Sequence, residues 1–251
     1  TIDATKVEME LKLLEEVEAA EVTVIDRTPT FCPGCPHRDS ASVLMEVKKQ
    51  FASADYMARV HGHSAVDLVF HGDTGCYTML MFEPTKDLMH NYSGMGLGGG
   101  TGAGIDPFIR NKQVVFMGDS TFFHSGSAAI SNSLKNGQDI TYVILDNKTT
   151  AMTGHQETPG TETNLLGDHT FSQNIEAIVA AMTQSSDTGA TVVQVNPEDR
   201  EGYRALLEKT ILQDGVKIVL ADKECGITYH RRAASAERKR EREDGFLAEK
   251  E

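Results

Sequence analysis

No run in this chain approaches the roughly 20 consecutive apolar residues that a membrane-spanning helix needs, so no membrane location is expected. The first twenty residues are acidic and amphipathic, which excludes a secretory signal. Cysteine is scarce. Four in 251 residues are too few for a disulfide scaffold. With no export signal, free thiols or metal ligands in a cytoplasmic protein are expected ahead of disulfides. Basic charge is short as well: Lys+Arg 24 against Asp+Glu 37 gives a net charge of −13. That field repels polyanions and argues against general nucleic-acid binding. The sequence shows no internal repeat. It begins on Thr1 and not on Met, which suggests a processed product or part of a longer polypeptide.

What is present fits a globular protein, with 39% hydrophobic and 24% charged residues. A chain this long buries one substantial core, or at most two small ones. Over residues 4–21, Val7, Leu11, Leu14 and Val17 recur at helical spacing and predict a helix with one apolar stripe. "RTPTFCPGCPHR" (27–38) then breaks regular structure, and "SASVLMEVKKQF" (40–51) predicts a helix entered through Asp39 or Ser40. Five short apolar or β-branched runs follow: Val66–Phe70, Gln113–Met117, Ile140–Leu145, Thr191–Val195 and Lys217–Leu220. Helical stretches such as Ser127–Leu134 and Ile175–Met182 separate some of them. Continuous apolar strands alternating with helices predict an α/β fold, a parallel sheet covered by helices on both faces. The expected division is an N-terminal helical arm (1–28), one α/β domain (29–225) and a charged extension (226–251). The basic run "YHRRAASAERKRERE" in that extension reads as a solvated helix or linker.

Two of the strands end abruptly in oxygen ligands. Gly118, Asp119 and Ser120 stop the first, and Asp146 and Asn147 stop the second. Ligands of open parallel sheets bind beyond the carboxyl ends of strands. If these strands are neighbours, Asp119 and Asn147 converge on one hard cation such as Mg²⁺, which keeps company with phosphates. Gly118 permits a sharp exit, and the following helix turns its N–H groups towards an anion. Alone, Asp119 is an ordinary helix cap and Asn147 an ordinary turn residue; together they favour a site.

"YSGMGLGGGTGAG" (92–104) carries Gly94, Gly96, Gly98, Gly99, Gly100, Gly102 and Gly104. Gly98 to Ala103 satisfies the loose dinucleotide pattern, but no clear strand precedes it, so a glycine-rich helix packed closely on the sheet is expected instead. Cys32 and Cys35 form C-P-G-C, and Cys76 and Cys225 each follow a strand by a few residues. Four thiolates there suit zinc, a [4Fe–4S] cluster or no metal, and ligand identity does not choose.

The longer strings carry a resemblance. "GDS", a helix and strand, then "DN" is similar to the thiamine diphosphate motif. "LDNKTTAMTGHQETPG", with "PTFCPGCPHR", "GDTGCYTM" and "GDSTFFHSG" before it in the family's order, resembles the 2-oxoacid:ferredoxin oxidoreductases. Within them it looks most like the thiamine-binding half of the indolepyruvate ferredoxin oxidoreductase alpha subunits. The resemblance covers roughly residues 29–225. It implies a thiamine diphosphate-binding (PP-type) domain, with Mg²⁺ on Asp119, Asn147 and the backbone carbonyl of Thr149. It implies a cofactor-binding set of Thr74, Gly75, Met95, Gly96, Gly118, Asp119, Ser120, Asn147, Thr149, Ala151 and Met152. Met95 or Leu97 would be the apolar support of the bent cofactor. Ser120 stands where the wider thiamine pattern has glycine, as in the indolepyruvate branch. The family places a [4Fe–4S] cluster on Cys32, Cys35, Cys76 and Cys225. His37, His124 and His155 lie inside matching motifs and are the catalytic candidates. His61, His63, His71 and His90 lack such support.

The chemistry implied is oxidative decarboxylation of a 2-oxoacid, indolepyruvate or another aryl pyruvate, to an acyl-CoA. Carbon dioxide leaves, coenzyme A takes the acyl group, and the electrons pass through the cluster to ferredoxin. The glutamate that activates the cofactor's aminopyrimidine belongs to a pyrimidine-binding domain or partner subunit, so an oligomer is expected and the chain alone should be inactive. The competing readings are a non-oxidative thiamine-dependent decarboxylase and a non-enzymatic zinc-binding α/β module.

Overall fold

The computed structural model describes residues 3–20, 25, 27–184 and 189–244. Six strands form one all-parallel sheet: β1 (Leu68–Gly72), β2 (Asn91–Tyr92), β3 (Lys112–Gly118), β4 (Ile140–Asp146), β5 (Thr191–Val195) and β6 (Lys217–Asp222). Their order across the sheet is β2-β1-β3-β4-β6-β5. The helices are α1 (Ala4–Ala19), α2 (Pro36–Phe51), α3 (Ala54–Tyr56), α4 (Gly98–Ile105), α5 (Asp119–Thr121), α6 (Ser127–Asn136), α7 (Ile175–Gln184), α8 (Arg200–Ile211) and α9 (Gly226–Asp244). The expected fold class is the observed one.

The central strands β3, β4 and β6 read as near-continuous apolar runs because both faces are covered. Alternate residues serve alternate faces. Val114, Phe116, Val143, Leu145, Val219 and Ala221 meet Val43, Leu44 and Val47 of α2 and Tyr203, Leu207 and Ile211 of α8. Val115, Met117, Tyr142, Ile144, Ile218 and Leu220 meet Ala103 of α4, Ile130 of α6 and Val179 of α7.

Three expectations need correction. Helix α2 begins at Pro36, not at Asp39 or Ser40, because proline suits the first helical position, where its missing N–H costs no hydrogen bond. The break in "RTPTFCPGCPHR" therefore ends at Cys35. The helix expected at Ser127 is the last part of a run that starts at Asp119, passes through a wider π-turn (Phe122–Gly126) and continues as α6. A two-residue strand, β2, does precede the glycine string, yet α4 opens only at Gly98. Strand ends shift by up to two residues, and β3, β4 and β6 run further towards their carboxyl ends than their apolar runs.

In α1, Val7, Leu11, Leu14 and Val17 are all exposed, and the helix buries no side chain. Residues 1, 2, 21–24 and 26 of the expected arm, and 245–251 of the expected extension, lie outside the described residues. No helix among the described residues is long and apolar enough to cross a membrane.

Candidate active site

Strands β1, β3, β4 and β6 stand side by side, so the segments leaving their carboxyl ends share one edge of the sheet. Gly118 pairs with Leu145 in register, which sets Asp119 beside Asp146 and one step from Asn147. Asp119 is the first residue of the helical run and is buried. Burial, then the neighbouring Asp146, pushes its carboxyl up to about 7, against relief from the Ser120 N–H and Lys148.

Asn147 is the key to the cluster. Its side-chain oxygen faces two other acceptors, Asp119 Oδ1 at 3.2 Å and the Thr149 carbonyl at 2.7 Å. Its amide nitrogen faces His37 Nε2 at 3.2 Å. Turned the other way, the amide would donate to both oxygens. With the amide turned, Asp119 Oδ1 and the Thr149 carbonyl are satisfied without a cation; with its oxygen towards them, the three oxygens form a set that a cation can fill. Adjacent oxygens in a Mg²⁺ octahedron with bonds of about 2.1 Å stand ~3 Å apart, which is the spacing found. The donor set therefore fits a hard divalent cation. Its position beneath the N-terminal N–H groups of the run from Asp119 fits an anion next to that cation.

The neighbouring residues fix this arrangement. His37 is buried in the first turn of α2, and burial lowers its pKa to about 4. The neutral ring can then accept a hydrogen bond from the Asn147 amide. Lys148 has a left-handed backbone, φ 63°. Its amine binds Asp146 and, at 2.7 Å, Asp222, while its N–H reaches Asp146 Oδ1 at 3.2 Å. The Lys148 amine is thus held by Asp146 and Asp222.

On the α2 side of the same edge a cavity of about 220 Å³ is lined by Cys32, Cys35, Cys76 and Cys225, with Asn147, Ala151, Met152 and His155. All four cysteines are free thiols. The chain brings them together locally: Cys35 N–H bonds the Cys32 carbonyl at 3.2 Å, and Cys225 N–H bonds the Asn147 carbonyl at 3.0 Å. Burial, then Cys35, Cys225 and Cys32, pushes the Cys76 thiol up to about 12. Among the described residues no three His, Cys, Asp or Glu side chains lie close enough to share a single metal ion.

The match with known proteins covers this edge. Residues 73–221, more than half of the chain, match the family described as thiamine pyrophosphate enzyme, C-terminal TPP binding domain. The chain belongs to that family. It is 34% identical over 201 residues to the indolepyruvate oxidoreductase subunit IorA of Methanothermobacter thermautotrophicus, covering 80% of this chain and 30% of the relative. To the protein of the same name from Archaeoglobus fulgidus it is 32% identical over 206 residues, covering 82% and 30%. The chain thus spans about a third of the length of these relatives. A solved 2-oxoglutarate:ferredoxin oxidoreductase from Magnetococcus marinus superposes with a TM-score of 0.61 at 18% identity, over 80% of this chain and 66% of that one, a likeness of fold.

As a thiamine pyrophosphate-binding domain, the chain carries its remaining expected residues at or beside this edge. Thr74 and Gly75 follow β1. Thr74 Oγ1 lies 2.8 Å from Tyr92 Oη, and Gly75 N–H reaches Thr78 Oγ1 at 3.3 Å. Met95 and Gly96 form a turn held at the Met95 carbonyl by Ser125 Oγ, 3.2 Å away. Ala151 and Met152 line the thiol cavity. Ser120 is half-buried in the first turn after β3. The three candidate histidines part company. His37 backs Asn147. His155, φ 66°, lines the thiol cavity with Nδ1 3.2 Å from Thr228 Oγ1. His124 is exposed on the π-turn, 3.2 Å from Ser125 Oγ. Sequence reasoning missed Asp73, Tyr77, Lys148 and Asp222. Asp73, Tyr77 and Lys148 sit inside the motif strings, but nothing in a string shows which of its residues turn inward.

Proposed function

We propose that this chain is the thiamine diphosphate-binding part of a 2-oxoacid:ferredoxin oxidoreductase that converts indolepyruvate or another aryl pyruvate to an acyl-CoA. The observation that carries the reading is the convergence of four thiols on a cavity that shares Asn147 with the cation site. The name of the archaeal relatives supports the substrate class.

In this reading Asp119, Asn147 and the Thr149 carbonyl hold Mg²⁺, which binds the cofactor's diphosphate. Thr74, Gly75, Met95, Gly96, Gly118, Ser120, Ala151 and Met152 line the rest of the cofactor site. Cys32, Cys35, Cys76 and Cys225 hold a [4Fe–4S] cluster. Such a cube binds each thiolate through a different iron, so its ligands stand apart and need not meet at one ion. When bound, the cofactor supplies the electron sink for decarboxylation, and the cluster supplies a one-electron outlet.

The chain's own residues bind and orient. Asp119 and Asn147 would hold the cation whose charge neutralises the diphosphate end. His37 orients Asn147 from behind, and His155 faces the space between cofactor and thiols, where it can donate to a substrate carboxylate. The chain takes its activating glutamate from a pyrimidine-binding domain or partner subunit, and passes electrons to ferredoxin.

The test is anaerobic reconstitution with candidate partner chains, following dye reduction that depends on both 2-oxoacid and coenzyme A. Reduction with indolepyruvate but not pyruvate is the expected result, with about four iron and four acid-labile sulfide per chain. Zinc in their place, or aldehyde release without dye reduction, would overturn the reading.

A further inference from the structure

Of the buried acids that the cation and thiol sites leave without a part, Glu208 is held by Tyr56 and His61, while Asp73 lies at the same edge of the sheet. Asp73 follows β1 and is fully buried. Its Oδ2 accepts from Gly96 N–H at 3.1 Å and from Gly98 N–H at 3.2 Å. Its Oδ1 accepts from Tyr77 Oη, which also lies 3.1 Å from Thr121 Oγ1. These partners are uncharged donors, and burial raises the carboxyl to about 6. Such a carboxylate is costly to bury.

What the cost supports is a turn. Leu97 caps α4 with no side-chain hydrogen bond, so the first N–H groups of that helix lack a local acceptor. Asp73 supplies it from another strand, at the end of the helix where negative charge is favoured. The fit is tight. A Cβ on Gly98 would lie 2.9 Å from the Gly72 carbonyl carbon. A Cβ on Gly96, where φ is +86°, would lie 1.7 Å from Ser125 Oγ. Met95 and Leu97 are thus held from two sides: by Asp73 through the amides of Gly96 and Gly98, and by Ser125 through the Met95 carbonyl.

We propose that Asp73 is a positioning residue that fixes the Met95–Leu97 turn against the cofactor site, so that the apolar side chain bracing the cofactor is in place before the cofactor binds. The role favours a carboxylate. An asparagine of the same shape keeps one neutral oxygen for the glycine amides, loses the charge that strengthens those bonds, and must donate its NH₂ to Tyr77 Oη, reversing that hydrogen bond. The inference rests on the cofactor site proposed above.

The experiment uses the full-length enzyme with its partner chains, in wild-type, D73N and S125A forms. Thiamine diphosphate affinity at saturating Mg²⁺ is measured by calorimetry, and amide exchange is followed over residues 94–98. D73N is expected to weaken cofactor binding about tenfold and to speed exchange at 94–98, as loss of one charge-assisted hydrogen bond would. Its cofactor-free thermal midpoint should be unchanged or higher, since a buried ionisable group is gone. A merely structural Asp73 would lower that midpoint and leave the affinity of the folded fraction alone. S125A frees the same turn without touching a buried charge and should weaken binding about threefold. It carries the test if D73N does not fold. Wild-type affinity and exchange in the folded variants would overturn the inference. No thiamine diphosphate binding by the wild type would instead overturn the cofactor site.

Discussion

At the residue scale, the proposed cation site combines a carboxylate, an amide and a carbonyl with no positive charge among them. Asp119 shows the cost. Burial raises its pKa to about 7, against an unfolded value of about 3.9. Between those values the folded chain binds more protons than the unfolded one. Its cation-free stability is therefore greatest below pH 4 as far as this group is concerned, and is lost as pH rises towards 7. Asp119→Asn removes that loss. At pH 8 without divalent cations it should melt a few degrees above wild type, while Mg²⁺-dependent cofactor binding disappears. A variant that melts lower would show that the carboxylate is not a strained group. Proton and cation also compete for the same oxygens. The Mg²⁺ concentration for half-maximal cofactor binding should thus be about tenfold higher at pH 6 than at pH 8. A flat profile from pH 6 to 8 would count against Asp119 as a ligand.

At the element scale, α4 shows how one composition hides two kinds of position. A Cβ on Gly98 would strike the backbone of Gly72, whereas one on Gly100 would meet nothing within 4 Å. Gly98→Ala should destabilise the chain by about 1–3 kcal/mol through overpacking. Gly100→Ala should stabilise it by about 0.5–1 kcal/mol through helix propensity. Denaturant unfolding of the two variants checks the opposite signs. The sequence shows only "GGGTGAG", and the sterics that separate its members come from β1, β3, β4 and α6, distant along the chain. The same limit explains the other misses. The five apolar runs are legible as strands because burial on both faces writes itself into consecutive residues. Their neighbourhood is legible only through the assumption that Asp119 and Asn147 meet. The start of α2 at Pro36 was hidden because proline reads equally as a breaker and as a first helical residue. Asp73 was hidden because an acid after an apolar strand looks like a surface turn until the glycine amides fold over it.

At the scale of the whole molecule, the parallel sheet brings two sites of different chemistry to one edge. β1 delivers Cys76, β6 delivers Cys225 and the loop before α2 delivers Cys32 and Cys35. β3 and β4 deliver the oxygen ligands. The two sets meet at Asn147, whose side chain faces Asp119 and Thr149 and whose carbonyl accepts the Cys225 N–H. The oxygen and sulfur ligands otherwise come from separate segments, although Gly75 adjoins Cys76 and Ala151 and Met152 line the thiol cavity, so a conservative change of one sulfur should reach the cofactor weakly. Cys76→Ser, prepared anaerobically in the full-length enzyme, should lose most of its iron and its dye reduction while binding thiamine diphosphate within about threefold of wild type. Chelation of Mg²⁺ should do the reverse, releasing the cofactor with iron retained. Asn147→Ala is the exception the geometry requires, because it removes a cation ligand and opens the wall of the thiol cavity. It should lose cofactor affinity and also shed iron faster than wild type. If Cys76→Ser abolished cofactor binding as completely as Asn147→Ala, the two sites would be one cooperative unit, and the separation read from the strands would be wrong.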